Sequence, residues 1–512
     1  MKIKNIITSV FMLLMINCFA QFNPQKKAVT NKFFPDKFIV KNVTPALKNT
    51  KRYTNHTDLW KFINELDAVK PSYVTTKIIG RSQKGKGIPM VFITNPGSNQ
   101  NKVKLFIQGG LHGDEKASTE GVLYFMHQLI NNQKYTYLLD RIVFGFIPMA
   151  NIDGYEIDMR HAANKLDLNR DQTKLLAPES IALKKAFTTF SPDVSIDFHE
   201  FRPYRRDFSD LAAFGITSYH DVMFLYSGNL NVATGIRDVI KNVFVKNAKG
   251  AVSTQGLNPR DYITTNTING ELQFNNGSIS MRSSATNYAL TNSISTLIEI
   301  RGVGIGRTSF KRRIHTLFTC ALSYAQTAYD NIDLIQTTLL KAPLENVEVT
   351  LKIKPTTKDG VLKVIDLDKI AIWEMPAIIR DNLKPIALKT RKKPIAYLID
   401  KSQTDVVEKL KTLGAIIETL DSDKNIKVES YKITEYKKDV IPYEKVQMQT
   451  VKTNLQATTI SFPKGTYLVK TNQKNTNMIC SVLEPETSSG FVNFGIIKTH
   501  LGDVLPIYRI IK

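Results

Sequence analysis

A histidine and a glutamate stand three residues apart in the segment Gln108-Gly-Gly-Leu-His112-Gly-Asp-Glu115. The apolar residues before them predict a strand that ends in a glycine turn, with both side chains projecting where a helix begins. An imidazole nitrogen and a carboxylate oxygen at this spacing can reach one ion, and both suit Zn²⁺. Taken alone, His-x-x-Glu is a weak signal, because such a pair occurs by chance in many chains.

A second histidine follows an apolar stretch in Val194-Ser-Ile-Asp197-Phe-His199-Glu200. His199 is well placed as a third ligand, which would leave the fourth position of a catalytic zinc to water. Asp197 is a candidate for orienting a ligand histidine from behind. For His199 on its own, the alternative is a structural histidine that is hydrogen-bonded at a strand end.

A glutamate, Glu299, interrupts the apolar segment Ser295-Thr-Leu-Ile-Glu299-Ile-Arg301. Burying a carboxylate is costly unless the group is paired or functional. Near a cation it would act as a base toward a metal-bound water. An ion pair with Arg301 is a poor alternative, because a partner two residues along the same strand would leave the carboxylate buried.

A polar segment, Met159-Arg160-His-Ala-Ala-Asn-Lys-Leu-Asp167-Leu-Asn169-Arg170-Asp171, separates these motifs. An arginine offers a two-pronged donor to a carboxylate or an oxyanion, and an asparagine adds donors beside it. Each arginine by itself reads as a surface residue. Together, beside a metal site, they predict an anion-recognition loop.

The elements that must position these residues alternate between strand and helix. Strand patterns cover 75–79, 90–94, 103–108, 141–148, 193–197 and 295–300, and helical patterns cover 58–66, 120–131 and, as one long helix, 310–335. This alternation predicts an α/β fold with a mixed central sheet flanked by helices. The candidate residues stand at the carboxyl ends of strands, where ligands gather in such sheets.

Composition and hydrophobic pattern divide the chain into four parts. Residues 1–20 predict a signal peptide, with a basic start, a short apolar core and small residues before Gln21. Residues 21–52 read as an N-terminal arm, 53–340 as the catalytic domain, and 342–512 as a β-rich accessory domain. We therefore expect a secreted or periplasmic protein; anchoring as a lipoprotein through Cys18 is the rival interpretation.

The composition limits the partners. The formal charge is +23, which indicates attraction to an anionic surface or cell-wall polymer, although a solvated basic surface is the simpler interpretation. The lysines are scattered without interleaved aromatic residues, so no nucleic-acid partner is expected. No internal apolar run reaches the roughly 18–20 residues of a membrane span, so no integral membrane span is predicted.

In this order, the motifs resemble the carboxypeptidase A-like zinc metallocarboxypeptidases. His-x-x-Glu is followed by Asn151-Ile-Asp-Gly, by Leu-Asn-Arg, by Asp-x-His and by a late strand glutamate, and the resemblance covers roughly residues 53–335. It implies that His112, Glu115 and His199 hold Zn²⁺. It also implies that Glu299 takes a proton from the zinc-bound water and that a peptide is the substrate.

The resemblance assigns further roles around the metal. Arg160 would polarise the scissile carbonyl, and Asn169 and Arg170 would bind the substrate's terminal carboxylate. Tyr262 and Tyr288 are both candidates for the tyrosine that caps the substrate, and Tyr288 is preferred.

The chain departs from the digestive members of that family in two ways. Arg282 lies near the segment that selects the C-terminal side chain, where it would favour an acidic residue. No long prodomain precedes Tyr53, so no zymogen inhibition is expected.

The leading hypothesis is thus zinc-dependent removal of C-terminal amino acids from peptides. One alternative is a zinc amidase that acts on cell-wall peptides or N-acyl amino acids. The other is a non-catalytic binding protein whose C-terminal region carries the function; the complete set of ligands and Glu299 count against it.

Overall fold

The structure is a computed structural model that describes residues 25–511, so the predicted signal peptide and Cys18 lie outside the described residues. The strands are β1 (Val74–Arg81), β2 (Gly87–Ile93), β3 (Val103–Gln108), β4 (Ile142–Ile147), β5 (Val194–Phe201), β6 (Ile216–Ser218), β7 (Val222–Leu225), β8 (Pro259–Asp261), β9 (Ile263–Ile268), β10 (Glu271–Asn276), β11 (Ile294–Arg301), β12 (Glu348–Asp366), β13 (Ala371–Lys392), β14 (Ala396–Ile399), β15 (Glu418–Thr419), β16 (Lys424–Lys438), β17 (Gln449–Phe462), β18 (Tyr467–Lys470) and β19 (Val504–Ile510). The α-helices are α1 (Lys27–Phe33), α2 (Pro45–Lys48), α3 (His56–Val69), α4 (Lys116–Asn131), α5 (Gln133–Thr136), α6 (Ile152–Glu156), α7 (Pro178–Phe190), α8 (Thr234–Val239), α9 (Lys246–Thr254), α10 (Ser284–Leu290), α11 (Phe310–Asp330), α12 (Ile332–Glu345), α13 (Thr404–Thr412) and α14 (Thr476–Leu483).

An eight-stranded mixed sheet forms the centre of the fold, in the order β1-β2-β4-β3-β5-β11-β7-β8. Its four middle strands, β4, β3, β5 and β11, run parallel to one another. Every residue of β5 is buried, as expected for a strand that is covered on both faces. The predicted α/β class with a mixed central sheet is confirmed.

Helices cover both faces of this sheet, and aromatic side chains make the contacts. On one face, Phe125 of α4 packs edge-on against Phe144 and Phe146 of β4. On the other face, Phe106 of β3 meets Phe187 of α7. Because successive side chains of a strand point to opposite faces, the apolar runs of β3 and β4 pack against the helices on both faces of the sheet.

A second sheet joins the two halves of the sequence. Its order is β6-β12-β13-β10-β9, so that the long hairpin β12–β13 lies between strands that come from the first 340 residues. β12 pairs with β6 in antiparallel orientation, and β13 pairs with β10 in parallel orientation. The boundary predicted near residue 341 therefore crosses a continuous hydrogen-bonded sheet, and the division into domains stays a prediction.

The C-terminal region adds a third, antiparallel sheet, in the order β15-β18-β14-β19-β16-β17. Strands β16 and β17 form a long hairpin. The segment that connects them, residues 439–448, is called the hairpin tip below. The β-rich character predicted for this region is confirmed.

Two local features differ from the sequence expectations. Helix α3 begins two residues before the predicted pattern of 58–66, because the Asn55 side chain caps it and accepts a hydrogen bond from the backbone of Asp58 in a reciprocal capping box. The helix expected over 310–335 is two helices, since Asn331 leaves the helical conformation with φ −126° and ψ 34°. The Asn331 amide donates to the Thr327 carbonyl, 2.8 Å away, which satisfies one free acceptor of the last turn of α11.

Among residues 25–511, none of the helices combines the length and the apolar character needed to cross a bilayer.

Candidate metal centre

His112 and Glu115 lie on the short connection between β3 and α4, directly after a glycine pair. Gly110 has φ +64°, and a Cβ built there would lie 2.6 Å from the Thr119 hydroxyl oxygen, so a glycine is needed at this bend. Glu115 occupies the position before the first residue of α4. There the carboxylate also lies at the positive end of the helix dipole.

His199 comes from the neighbouring strand β5, where its side chain is fully buried. Its Nδ1 lies 2.8 Å from Glu115 Oε2 and 3.0 Å from His112 Nδ1. His112 Nδ1 in turn lies 2.6 Å from Glu115 Oε1. One donor atom from each of the three residues thus falls within 4.8 Å of the other two.

Each of the two histidines turns its other ring nitrogen toward an aspartate. His112 Nε2 lies 3.1 Å from Asp167 Oδ1, and His199 Nε2 lies 2.9 Å from Asp197 Oδ2. A carboxylate behind a ligand imidazole fixes the orientation of the ring and leaves the opposite nitrogen free to bind a metal. The Nδ1 atoms of both histidines are therefore the ones presented to the centre.

The charges of the cluster also fit a cation. Burial disfavours a charge on His199, yet the nearby Asp197 and Glu115 carboxylates outweigh it and raise the pKa of His199 well above its usual value. Burial also opposes ionisation of Glu115, but the two histidines hold the pKa of Glu115 below its ordinary value. The buried carboxylates thus require positive charge at the centre, which a divalent metal supplies. Two imidazoles and one carboxylate, with room for a fourth ligand, are a donor set of catalytic zinc.

Glu299 stands beside the cluster because β11 runs parallel to β5 and places Glu299 directly opposite His199 in the register. Its Oε2 atom is buried without a hydrogen-bond partner among the described residues. Burial, assisted by the negative charge of Glu115, raises the pKa of Glu299 to about 7. Arg301 is no partner for it, since the Arg301 guanidinium donates instead to the side chains of Gln25 and Thr217.

Arg160 reaches the cluster from the loop after α6. Its Nη2 and Nε donate to Asp167 Oδ2 at 2.9 and 3.1 Å, and its Nη1 lies 3.6 Å from Glu115 Oε1. Asn169 and Arg170 follow on a short 3₁₀ turn, Leu168–Arg170. The side-chain oxygen of Asn169 accepts from the backbone of Ser284 at 2.8 Å, which ties this turn to the start of α10.

A cleft of about 640 Å³ opens over these residues. Most of the site residues predicted from the sequence line its wall, namely His112, Glu115, Arg160, Asn169, Arg170, Arg282 and Glu299. His199 lies beneath the floor as a fully buried residue.

The preference for Tyr288 as the capping tyrosine is corrected by the structure. Tyr288 is 1% exposed and stacks on Phe187 of α7 at 3.9 Å between ring centroids, within the hydrophobic core. Tyr262, the other candidate, lines the cleft. It precedes the β9–β10 hairpin, and spacing along the sequence could not indicate how that hairpin turns the tyrosine toward the metal ligands.

Comparison with known proteins agrees with this geometry. Residues 59–201 match the zinc carboxypeptidase family of peptidases. Carboxypeptidase 2 of Trichophyton rubrum is 30% identical over 448 residues, which cover 84% of this chain and 81% of that protein. A probable carboxypeptidase 2 of Arthroderma benhamiae is 30% identical over 424 residues, covering 80% and 79%.

Among solved structures, a metallo-carboxypeptidase from Burkholderia cenocepacia aligns with a TM-score of 0.42 at 17% identity, over 55% of this chain and 70% of that one.

The chain therefore belongs to the zinc carboxypeptidase family. It is a metallocarboxypeptidase, a zinc-dependent hydrolase whose substrate is a peptide.

Sequence reasoning identified Asp197 but missed the roles of Asp167, Tyr443 and Glu444. Asp167 was visible in the Leu-Asp-Leu-Asn-Arg segment, but nothing in the spacing connected it to both His112 and Arg160. Tyr443 and Glu444 of the hairpin tip contact Arg282 and Asp167, and no local pattern relates them to the cleft. The Asp-x-His spacing was the one signal that pointed to Asp197.

Proposed function

We propose that His112, Glu115 and His199 hold the zinc ion on which peptide hydrolysis depends. The observation that carries this proposal is the convergence of their three donor atoms within 4.8 Å in a buried site. The aspartate behind each histidine supports it, because such partners orient the ligands of metal sites. A zinc ion held there would polarise the scissile carbonyl and activate a water molecule.

Glu299 is the proposed general base. Its unpartnered carboxylate oxygen and its place opposite His199 put it beside the metal ligands. A pKa near 7 suits a group that accepts a proton from water and then passes it to the leaving amine. Arg160 would stabilise the negative charge that develops on the carbonyl oxygen, since its guanidinium reaches Glu115 while Asp167 holds it in place.

The remaining polar residues of the cleft would bind the end of the substrate. Asn169 and Arg170 are proposed to bind the terminal carboxylate, and Tyr262 to cap the bound peptide. Arg282 would lie beside the C-terminal side chain. All four line the same cleft as Glu299.

Export remains part of the proposal. The basic and apolar start of the chain, residues 1–20, supports cleavage of a signal peptide and release as a secreted or periplasmic enzyme. The charge of +23 supports contact with an anionic cell-wall polymer.

Metal content and product release test the function together. We expect about one zinc per chain, release of single C-terminal residues from a mixed peptide library, and loss of activity with a chelator. Bound zinc without release of C-terminal residues would favour the amidase alternative. No zinc after careful reconstitution would refute the ligand assignment.

Two variants separate the roles. Glu299→Gln keeps the shape but removes the proton acceptor, so we expect zinc to stay bound while kcat falls by about 10²–10⁴-fold. His199→Ala should instead lose the metal. Near-normal turnover by Glu299→Gln would show that another group acts as the base.

A further inference from the structure

The hairpin tip of the C-terminal sheet is anchored beside the catalytic cleft. The backbone N–H of Asp167 donates to Glu444 Oε2 at 3.0 Å, and Lys174 Nζ donates to the Glu444 carbonyl at 2.9 Å. Asp167 begins the turn that carries Asn169 and Arg170. The tip is therefore bonded to the same loop that lines the cleft, although it comes from a distant part of the sequence.

The hairpin tip contains a tight turn in a left-handed backbone conformation that its residue types rarely adopt. Glu444 and Lys445 have φ values of 44° and 67°, and Tyr443 and Val446 exchange both backbone hydrogen bonds, at 2.8 and 3.0 Å. Two left-handed residues in a two-residue turn are typical of a type I′ hairpin, which asparagine and glycine form most easily. Left-handed backbone at other residues persists where surrounding contacts hold it, and here the bonds to Glu444 do so.

This turn presents the ring of Tyr443 to Arg282. The Arg282 guanidinium carbon lies 4.6 Å from the centre of the ring, within the range of a cation–π interaction. Arg282 itself lines the cleft, close to Arg170 and Ser283. Tyr443 thus contacts an arginine that lines the cleft.

In the described part of the chain, no carboxylate forms an ion pair with Arg282, although those of Asp167 and Glu444 lie near enough to act on its charge. Arg160 pairs with Asp167, and Arg205 pairs with Asp207, but among residues 25–511 no aspartate or glutamate lies within ion-pair distance of Arg282. An aromatic ring fixes the position of a guanidinium while leaving its charge available to a ligand. Arg160, Arg202 and Arg205 also line the cleft, and Arg170 and Arg282 are the two arginines whose guanidinium groups we assign to two carboxylates of one residue.

We propose that Tyr443 is a positioning residue for substrate specificity: it holds Arg282 so that the enzyme prefers peptides with a C-terminal glutamate or aspartate. The C-terminal sheet accordingly contributes a residue that positions a side chain of the substrate pocket. The proposal rests on the proposed function, in which Arg170 takes the terminal carboxylate and Arg282 meets the side chain.

The test compares two peptides that differ only in ending with glutamate or with its neutral isostere glutamine. The wild-type enzyme should prefer the glutamate peptide. Tyr443→Ala should lower kcat/KM for that peptide by about three- to tenfold, mainly through KM, and should leave the glutamine peptide within about twofold. Tyr443→Phe should behave like wild type, because it keeps the ring. Ile441→Ala is the matched control in the same tip, where the side chain is 81% exposed, and it should change neither value.

A binding measurement separates this proposal from the proposed function. Calorimetry with N-acetylglutamate and N-acetylglutamine should show the same dependence on Tyr443 even if no peptide is cleaved. An equal loss for both ligands, or no loss in Tyr443→Ala, would overturn the proposal. If Tyr443→Ala does not fold, Arg282→Gln decides the matter, because it should abolish discrimination between the two ligands, and retained discrimination would refute the role of Arg282.

Discussion

Asp167 contacts two side chains of the active site and accepts from the backbone N–H of Asn169 at 2.8 Å. Its replacement by asparagine keeps an oxygen for that backbone contact and should have two separable effects. One oxygen of Asp167 faces His112 at 3.1 Å, and the other accepts two hydrogen bonds from Arg160 at 2.9 and 3.1 Å. Asp197 shares the first of these tasks, since it faces His199 at 2.9 Å; its other oxygen accepts from Gln108 Nε2 at 3.1 Å, and no arginine among the described residues depends on it. Asp167→Asn and Asp197→Asn are thus matched variants that both weaken the support of a metal ligand, whereas only the first also releases Arg160.

The magnitudes follow from these contacts. Removing the carboxylate behind a ligand histidine lowers metal affinity by about 10–100-fold, so both variants should bind zinc more weakly. Hydrogen bonds to a charged partner contribute about 1.5–3 kcal/mol, and losing those that hold Arg160 should lower kcat by a further roughly 10–100-fold. Zinc affinity is measured by competition with a chelator, and kcat is then measured at saturating zinc.

The comparison at saturating zinc decides whether the reasoning is sound. Asp197→Asn should recover most of its turnover there, whereas Asp167→Asn should not. If the two variants showed the same kcat at saturating zinc, the argument that Asp167 positions Arg160 would fail. If neither variant lost zinc affinity, the histidine–aspartate contacts would have no part in metal binding.

Two further predictions concern the framework of the site. A Cβ at Gly113 would lie 2.1 Å from the Gly154 backbone, so Gly113→Ala should destabilise the protein by about 1–3 kcal/mol or more in denaturant unfolding. Gly250→Ala is the control, because a Cβ at this helical position has no atom within 4 Å, and it should not destabilise the protein. Burial lowers the pKa of Lys184 to about 7, below its unfolded value of about 10.4. The unfolded chain therefore binds more protons between these pH values, and the free energy of unfolding should rise with pH by up to about 1.4 kcal/mol per unit. Lys184→Met should lose this dependence, and an unchanged slope of unfolding free energy against pH from 7 to 10 would contradict the assignment.

The central sheet was predictable because its signals are local. The apolar runs around His199 and Glu299 indicate buried strands, and parallel strands bring their ends to one edge of a sheet. That is why residues far apart in the chain could be assigned to one centre before any contact was known. The pairing of β5 with β11, which sets His199 opposite Glu299, then follows from the register of two neighbouring strands.

The parts that were not predictable depend on long-range contacts. The choice between Tyr262 and Tyr288 turns on the packing of Tyr288 against Phe187, which no spacing rule contains. The contact of Tyr443 with Arg282 joins the C-terminal hairpin to the loop before α10, through a turn whose residues are unusual for its conformation. The break at Asn331 is the exception, because it is local: the residue leaves the helical conformation within an otherwise continuous helical pattern.

The shared sheet limits where the chain of this enzyme can be cut. A fragment that ended near residue 341 would leave β6 and β10 without the hairpin β12–β13, and their unpaired backbone groups would become open edges that favour aggregation. The C-terminal region therefore cannot be cut away near residue 341 without exposing strand edges in the first 340 residues. Its removal would also take away Glu444, which accepts a hydrogen bond from the Asp167 backbone beside the cleft.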